Sequence, residues 1–249
     1  MFKITIADAR NWKNLMTAIS TLIEEATFTV DNEGITLRAM DPSHVAMVDF
    51  GSPRDAFQEY TCTESTRLCL DIADMLKLIK RVESGETLEL THDPQTGHLN
   101  MKLVGKYTRR FSLPLLQPAT TDTPVPKLTF DAKIKLDADF LNDAVSDISG
   151  VSDQVRCEAS PEKLVMTGVS ETGNVVVEFD KTNPSVIDYQ VQTEVKALYG
   201  VSFLQDMIRA GAASSKLVTV EFSADKPVRL DFELPLKGKL VYYLAPRLE

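Results

Sequence analysis

DARNWKNLMTAISTLI (Asp8–Ile23) and DADFLNDAVSDISGVS (Asp137–Ser152) lie 129 residues apart and read as one pattern written twice. Asp8-Ala9 recurs as Asp137-Ala138 and Ile19-Ser20 as Ile148-Ser149, while Trp12, Met16 and Leu22 fall on Leu141, Val145 and Val151. Working outward at the same offset, Ile35 and Leu37 fall on Leu164 and Met166, Phe50 on Phe179, Tyr60 on Tyr189 and Ile79 on Ile208. The correspondence runs without a gap from Asp8 to about Leu103. A fixed period that keeps apolar positions in phase means one supersecondary plan built twice, and two copies are too few for a solenoid. The 249 residues therefore divide into two similar domains of about 120 residues each.

The quoted stretches are helical in period. Trp12, Leu15, Met16, Ile19, Leu22 and Ile23 trace one stripe through Asp8–Glu24, and Leu141, Ala144, Val145 and Ile148 trace its echo through Asp137–Val151. A second pair follows in Asp71–Val82 (Met75, Leu76, Leu78, Ile79) and Val201–Ala212 (Leu204, Met207, Ile208). Asp8, Asp71 and Asp137 stand at N-cap positions. Between the helices, short alternating or apolar runs read as strands: Phe28–Val30, Ile35–Ala39, Val45–Phe50, Leu88–Thr91, Leu99–Leu103 and Arg109–Leu115. Their echoes are Val155–Glu158, Leu164–Val169, Val175–Phe179, Val218–Phe222, Arg229–Leu234 and Leu240–Leu244. The opening MFKITIADAR also alternates like a strand. Turns such as Asp31-Asn32-Glu33-Gly34 separate the strands. Many strands with two helices per half predict an α+β fold, antiparallel sheet with helices on one face. The Pro- and Thr-rich QPATTDTPVPKL (Gln117–Leu128) reads as an extended connector. The expected division is domain one over 1–117, connector over 118–128 and domain two over 129–249.

Composition is that of a globular chain, 43% hydrophobic and 25% charged. No apolar run nears the roughly twenty residues a bilayer demands, and no signal peptide precedes the first strand, which predicts an intracellular protein. Cys62, Cys69 and Cys157 are odd in number and lack metal-ligand spacing, so they read as reduced thiols. The net charge of −9 argues against a surface basic all over, yet charge segregated by face still permits nucleic acid. Phosphate loops, dinucleotide fingerprints, nucleophile elbows and zinc-hydrolase motifs are all absent. His92 and His98 flank a turn and read as solvated. His44, between Asp41 and Asp49, is the candidate base with a carboxylate partner, and the enzyme reading rests on it.

Two further segments carry a resemblance. LRAMDPSHVAMVDF (Leu37–Phe50) and VYYLAPRLE (Val241–Glu249) resemble two signatures of the PCNA-type DNA sliding clamps of archaea and eukaryotes, and LYGVSFLQDMI (Leu198–Ile208) is similar to the same family. The resemblance spans essentially the whole chain. It implies a trimeric ring of six similar domains around duplex DNA, with helices lining the hole and strands outside. It also implies a non-enzymatic processivity factor without cofactor or metal, opened by an ATP-driven loader. Its partners would be DNA polymerase, clamp loader, flap nuclease and ligase, bound through short hydrophobic peptide motifs, with no membrane involved. The ring would work in the nucleoid of an archaeon or the nucleus of a eukaryote.

The resemblance also distributes roles. Arg10, Lys13, Lys77, Lys80, Arg81 and Arg209 are the basic helix residues that would meet phosphates without reading sequence. A plain solvated helix face is the alternative. The family's subunit contact pairs the edge strands that match Thr108–Leu115 and Asn174–Asp180, so Arg109 and Arg110 would face Glu178 and Asp180. Asp139, Asp143 and Asp147 form an acidic stripe on the third helix, poor for phosphates; Asp143 and Asp147 would meet Arg109, Arg110 or Arg81 of a neighbour, or remain simply hydrated. A partner-peptide pocket carries over onto Met40, His44, Val45, Met47, Val125, Pro126, Pro227, Tyr243, Ala245, Pro246 and Arg247. Thr123 departs from the family there, which often has a larger aliphatic residue. The alternatives are a subunit of a heterotrimeric or checkpoint-type clamp, and a duplicated α+β small-molecule enzyme working through His44 and Asp41.

Overall fold

The computed structural model describes residues 1–118, 123–124, 126–171 and 173–247. The stretches of helical period form α1 (Ala9–Ser20), α2 (Ile72–Leu78), α3 (Ala138–Ser149) and α4 (Val201–Ala212). Three of the four start where the aspartates predict. Asp8 accepts a hydrogen bond from the Arg10 amide at 2.9 Å, Asp71 from Asp74 at 2.9 Å, and Asp137 from Asp139 at 2.9 Å and Phe140 at 3.3 Å. Helix α4 begins after Gly200 with no side-chain cap.

The first half of the chain supplies β1 (Phe2–Ile6), β2 (Glu25–Val30), β3 (Gly34–Met40), β4 (Ala46–Pro53), β5 (Glu59–Cys62), β6 (Thr66–Asp71), β7 (Thr87–Asp93), β8 (His98–Val104) and β9 (Thr108–Pro114). The second half supplies β10 (Ala132–Asp137), β11 (Gln154–Ala159), β12 (Lys163–Ser170), β13 (Gly173–Asp180), β14 (Val186–Val191), β15 (Val195–Gly200), β16 (Leu217–Phe222), β17 (Val228–Glu233) and β18 (Lys239–Leu244). Two compact units result. One comprises Met1–Pro42, Val48–Pro124 and Leu234–Lys239; the other comprises Ser43–Met47, Val125–Glu233 and Leu240–Glu249.

Within the first unit, strands run β5-β1-β7-β8-β9 and β4-β3-β2-β6; within the second, β14-β10-β16-β17-β18 and β13-β12-β11-β15. The two orders are identical once each strand is renumbered by nine, so the repeat is a repeat of topology. Trp12, Met16, Ile19, Ile72, Met75 and Ile79 are buried in the first core, and Leu141, Val145, Ile148, Leu204, Met207 and Ile208 in the second. Helix α1 packs beside α2 and α3 beside α4.

Four expectations need correction. The repeat is not free of gaps: the buried Leu88, Leu90 and His92 of β7 correspond to Val218, Val220 and Phe222 of β16, one residue beyond the common offset. A one-residue slip turns every side chain to the opposite face, so the loop before the strand absorbs it. His92 is therefore not solvated; it occupies a core position, 6% exposed, and stacks on Phe2 with ring centroids 5.7 Å apart. The structure adds strands β5, β6, β10, β14 and β15 to those the sequence predicts; β5 and β14 are the ones interrupted by exposed polar residues. Finally, α2 stops at Leu78 instead of continuing to Val82, which leaves Lys80 and Arg81 in the turn beyond it.

That early stop has a long-range cause. The Glu86 carboxylate accepts from the Glu83 amide at 2.8 Å and from Arg109 Nη2 at 2.6 Å, while Arg109 Nη1 donates to the Arg81 carbonyl at 3.0 Å. Backbone groups that a longer helix would use are thus taken by side chains. The Glu83 amide and, against the opposing effect of burial, the Arg109 guanidinium hold the Glu86 carboxyl below the usual carboxylate range.

Two outcomes are expected. A Cβ built on Gly211 of α4 would lie 2.4 Å from the Phe232 ring. Gly211→Ala gains about 1 kcal/mol of helix propensity but overpacks the core by about 1–3 kcal/mol, so calorimetry should find a lower thermal midpoint; a raised midpoint would refute the close packing. Because its folded pKa is depressed, Glu86 contributes stability at neutral pH that is lost as pH falls through its unfolded value toward its folded one. Urea unfolding of Glu86→Gln should therefore show a weaker protein at pH 7 with a shallower decline between about pH 5 and pH 3; parallel profiles for the two proteins would show the carboxyl to be unperturbed.

Candidate functional site

The basic helix residues mostly have partners inside their own unit. Arg10 meets Asp8 at 3.2 Å, Lys77 meets Asp74 at 2.7 Å, and Arg209 pairs with Asp206. Lys13 is half-buried, and its ammonium donates to the Lys80 carbonyl at 2.9 Å, joining α1 to the C-terminal end of α2, where a cation suits the helix dipole. Lys80 and Arg81 are exposed in the turn after α2. The first unit thus gathers Arg10, Lys13, Lys77, Lys80 and Arg81 around neighbouring helices; Arg209 stands on α4 of the second unit. Arg10, Lys77 and Arg209 are exposed, and solvent-exposed pairs of this kind hold a side chain weakly, so their charges stay open to an outside anion.

Among the described residues, β9 pairs only with β8 and β13 only with β12. Exposed apolar residues accompany both edges, Tyr107 beside β9 at 65% exposure and Val176 on β13 at 51%. The charges near these edges are less available than their sequence suggests. Arg109 is consumed by Glu86 and lies 5.4 Å over the Tyr107 ring. Glu178 is held by Lys163 at 2.7 Å, and Asp180 accepts from the Thr182 amide at 2.8 Å and hydroxyl at 2.6 Å. Arg110 remains exposed on β9. On α3, Asp139, Asp143 and Asp147 are exposed along one stripe beside Phe140, itself 52% exposed.

The pocket residues fall mainly in the second unit. Ser43–Met47 is joined to the C-terminal segment by the Ala245 amide, which donates to the Val45 carbonyl at 2.9 Å. Two residues on, the Arg247 amide donates to Leu198 of β15 at 2.7 Å. Around this seam Val45 is 38% exposed, His44 and Arg247 are exposed, Ala245 and Pro246 are half-buried, and Met47 and Tyr243 are buried. His44 has φ 58°, a left-handed conformation that turns the chain sharply ahead of β4. Pro227 follows a turn pinned twice: the Tyr199 hydroxyl donates to the Lys226 carbonyl at 3.0 Å, and the Lys226 ammonium to the Thr129 carbonyl at 2.7 Å. Pro126 is half-buried, and Val125 lies outside the described residues. Met40 is half-buried and belongs to the first unit. So does Thr123, whose carbonyl accepts from Arg38 at 3.2 Å.

Of the two carboxylates that flank His44 in sequence, Asp49 is buried and bound by Arg38 at 3.2 Å and Lys239 at 2.9 Å; Asp41 is also buried. Voids of about 20 Å³ and 10 Å³ in the two cores are apolar and far smaller than a small-molecule site. Sequence reading missed one constellation, in which Arg229 donates to both Glu221 and Asp231. The signal was present in the alternation of Val228–Glu233, which sets Arg229 and Asp231 on the face opposite the buried Val228, Leu230 and Phe232.

Comparison with known proteins agrees with this architecture. Residues 1–113 match the family model described as proliferating cell nuclear antigen, N-terminal domain, and residues 124–247 match the model of its C-terminal domain. The DNA polymerase sliding clamp 1 of Pyrobaculum aerophilum is 34% identical over 246 residues, 99% of this chain and 98% of its own. The DNA polymerase sliding clamp of Thermofilum pendens is 32% identical over 249 residues, 100% of both chains. The crystal structure of PCNA from Thermococcus kodakaraensis superposes with a TM-score of 0.94 at 30% identity, covering 99% of this chain and 100% of that one. A duplicated unit of nine strands and two helices, matched over both halves in sequence and in structure, leaves one assignment: the chain belongs to the proliferating cell nuclear antigen family.

Proposed function

We propose that this chain is a DNA polymerase sliding clamp, acting inside the cell as a subunit of a ring that encircles duplex DNA and tethers the proteins bound to it. It is a non-enzymatic processivity factor. The observation that carries the reading is the doubling of topology, with an open strand edge in each unit (β9 and β13). Backbone pairing of β9 with β13 of a neighbouring chain would satisfy both edges and remove two aggregation-prone templates. Each net hydrogen bond so formed adds about 0.5–1.5 kcal/mol, and the pairing repeats head to tail until the ring closes. Residues 1–117 and 129–249 are taken as the clamp domains and 118–128 as the connector.

A ring holds its duplex topologically, so attraction of phosphates by Arg10, Lys77, Lys80, Arg81 and Arg209 need only be weak and independent of sequence. Polymerase, nuclease, ligase or loader would dock a short hydrophobic peptide on the face formed by His44, Val45, Met47, Pro126, Pro227, Tyr243, Ala245, Pro246 and Arg247, with Met40 and Val125 carried over from the family. Tethering raises a client's effective concentration at the DNA even where the client's own grip on the duplex is unchanged. Charge complementarity at the edges rests on Arg110 and on the Asp143 and Asp147 stripe, because Arg109 already serves Glu86. The in-chain pairing of Arg109, Glu178 and Asp180 favours a second reading, a ring completed by different subunits.

Light scattering separates the two readings. A self-closing ring should have three times the chain mass of 27.6 kDa, whereas a persistent monomer would overturn self-assembly. At low salt, Asp143→Lys should shift the trimer toward monomer; an unaltered mass would remove α3 from the interface. In DNA binding, Lys80→Ala/Arg81→Ala should weaken affinity equally for all sequences and reduce the salt slope by roughly 0.9 for each phosphate that is no longer neutralised. A slope identical to that of the unaltered protein would place the DNA elsewhere.

A further inference from the structure

The turn that follows α2 is held from two sides by cationic side chains that bind its backbone. Lys13 of α1 donates to the Lys80 carbonyl at 2.9 Å, and Arg109 of β9 donates through Nη1 to the next carbonyl, that of Arg81, at 3.0 Å. Arg109 is fixed in turn by Glu86, both of whose carboxylate oxygens lie 2.6 Å from Nη2. The Glu86 carboxylate also accepts from the Glu83 amide at 2.8 Å, and its carbonyl accepts from the Ala9 amide at 2.8 Å. A Cβ built on Gly105 would lie 2.7 Å from the Glu86 side chain, so a larger residue there would displace it. Helix α1, the segment after α2 and strand β9, all of the first unit, are thus tied together at two adjacent carbonyls.

The side chains of those two residues differ from the other helix cations. Arg10, Lys77 and Arg209 each pair with a carboxylate, whereas Lys80 and Arg81 are exposed and, among the described residues, pair with none. A free turn would have to be ordered when its cations bind phosphate, and that cost is subtracted from affinity. Here the backbone is ordered beforehand by groups whose own charges are occupied. Lys13 sits on a carbonyl just past a helix C-terminus, where the dipole is negative, and Arg109 sits on a buried carboxylate. We propose that Lys13 and Arg109 are positioning residues for DNA, holding the backbone at Lys80 and Arg81 so that these two side chains meet phosphates from a turn already in place. This rests on the DNA-binding reading above. It adds that two cations, which the resemblance assigns to the phosphates and to the subunit edge, act through their neighbours and never touch the duplex.

Sign and salt dependence separate positioning from direct attraction. Removing an arginine that neutralised a phosphate would lower the salt slope by about 0.9, whereas loss of an ordered turn weakens binding equally at every salt concentration. Removing the Glu86 carboxylate would strengthen a purely electrostatic attraction, yet it frees Arg109 and should weaken one that depends on position.

The test uses the full-length protein and short fluorescein-labelled duplexes of unrelated sequence, titrated by anisotropy across a range of salt, with the mass of each variant read by light scattering. Glu86→Gln/Arg109→Met replaces an ion pair by neutral side chains and leaves the net charge unchanged. It should weaken binding about fivefold at every salt concentration, with the slope and the mass of the unaltered protein. Glu86→Gln alone should also weaken binding, and neither change should add to the loss caused by Lys80→Ala/Arg81→Ala. A lower slope, tighter binding by Glu86→Gln, losses that add, or a fall in mass, which would make Arg109 a subunit-interface residue, would each overturn the proposal. If the double variant fails to fold, Lys13→Met, which removes only the bond to the Lys80 carbonyl, should weaken binding with the slope unchanged; an unaltered affinity there would overturn the proposal as well. Failure of the unaltered protein to bind duplex, or an unchanged slope for Lys80→Ala/Arg81→Ala, would overturn the DNA reading itself, a result distinct from failure of the cycle.

Discussion

Burial of one apolar stripe on each long helix is the constraint from which the rest follows. Trp12, Met16 and Ile19 on α1, and Leu141, Val145 and Ile148 on α3, are each 6% exposed or less, and burying side chains of this size is worth about 1.5–3 kcal/mol apiece. Once that stripe faces a sheet, the remaining face of the helix is committed to water or to a polar partner. Arg10, Lys77 and Arg209 project there because the inward positions are taken. The acidic stripe of α3 obeys the same rule with the opposite sign, since Asp139, Asp143 and Asp147 fill the outward positions of an equally apolar helix. Charge on these helices is free to be tuned for function because it bears little of the fold's weight.

Much of the fold was legible in the chain because its strongest signals are local. Helix periods, aspartate caps and alternating strands need only neighbours in sequence, and Asp8, Asp71 and Asp137 each cap as their position demands. What was illegible depends on distant residues. The end of α2 is decided by Glu86 and Arg109, the second of which lies 28 residues beyond the Arg81 carbonyl it binds. The one-residue slip between β7 and β16 is invisible to a fixed offset, because loops absorb it without disturbing the apolar count. His92 takes the place that Phe222 has in the second unit, and no local pattern distinguishes a core histidine from a solvated one.

The site was legible by resemblance more than by pattern. Nothing in the spacing of Val45 and Ala245 says that their backbones bond, yet that bond joins Ser43–Met47 of the first signature to the C-terminal signature within the second unit. Arg109 shows the converse. Its position at an edge strand suggests an outward role, and a buried carboxylate from another loop claims it first. Arg229 was passed over because an arginine on the polar side of a strand is ordinary; only the register, which brings Glu221 opposite it, makes it part of a constellation.

These cases share a physical logic. A protein that works by encircling its ligand needs accurate geometry and little adhesion, so its strong polar interactions belong inside the units. Glu86 with Arg109, Asp49 with Arg38 and Lys239, and Arg229 with Glu221 and Asp231 are all partly or wholly buried and multiply bonded. Breaking such a group by removing one partner costs about 3–5 kcal/mol, several times the worth of an exposed pair. The exposed pairs are Arg10 with Asp8, Lys77 with Asp74 and Arg209 with Asp206, on the helices proposed to face DNA. They are weak enough to exchange a carboxylate for a passing phosphate. Strong pairs fix the frame and the weak ones lie where the proposal puts the duplex, the arrangement that a ring able to slide would need.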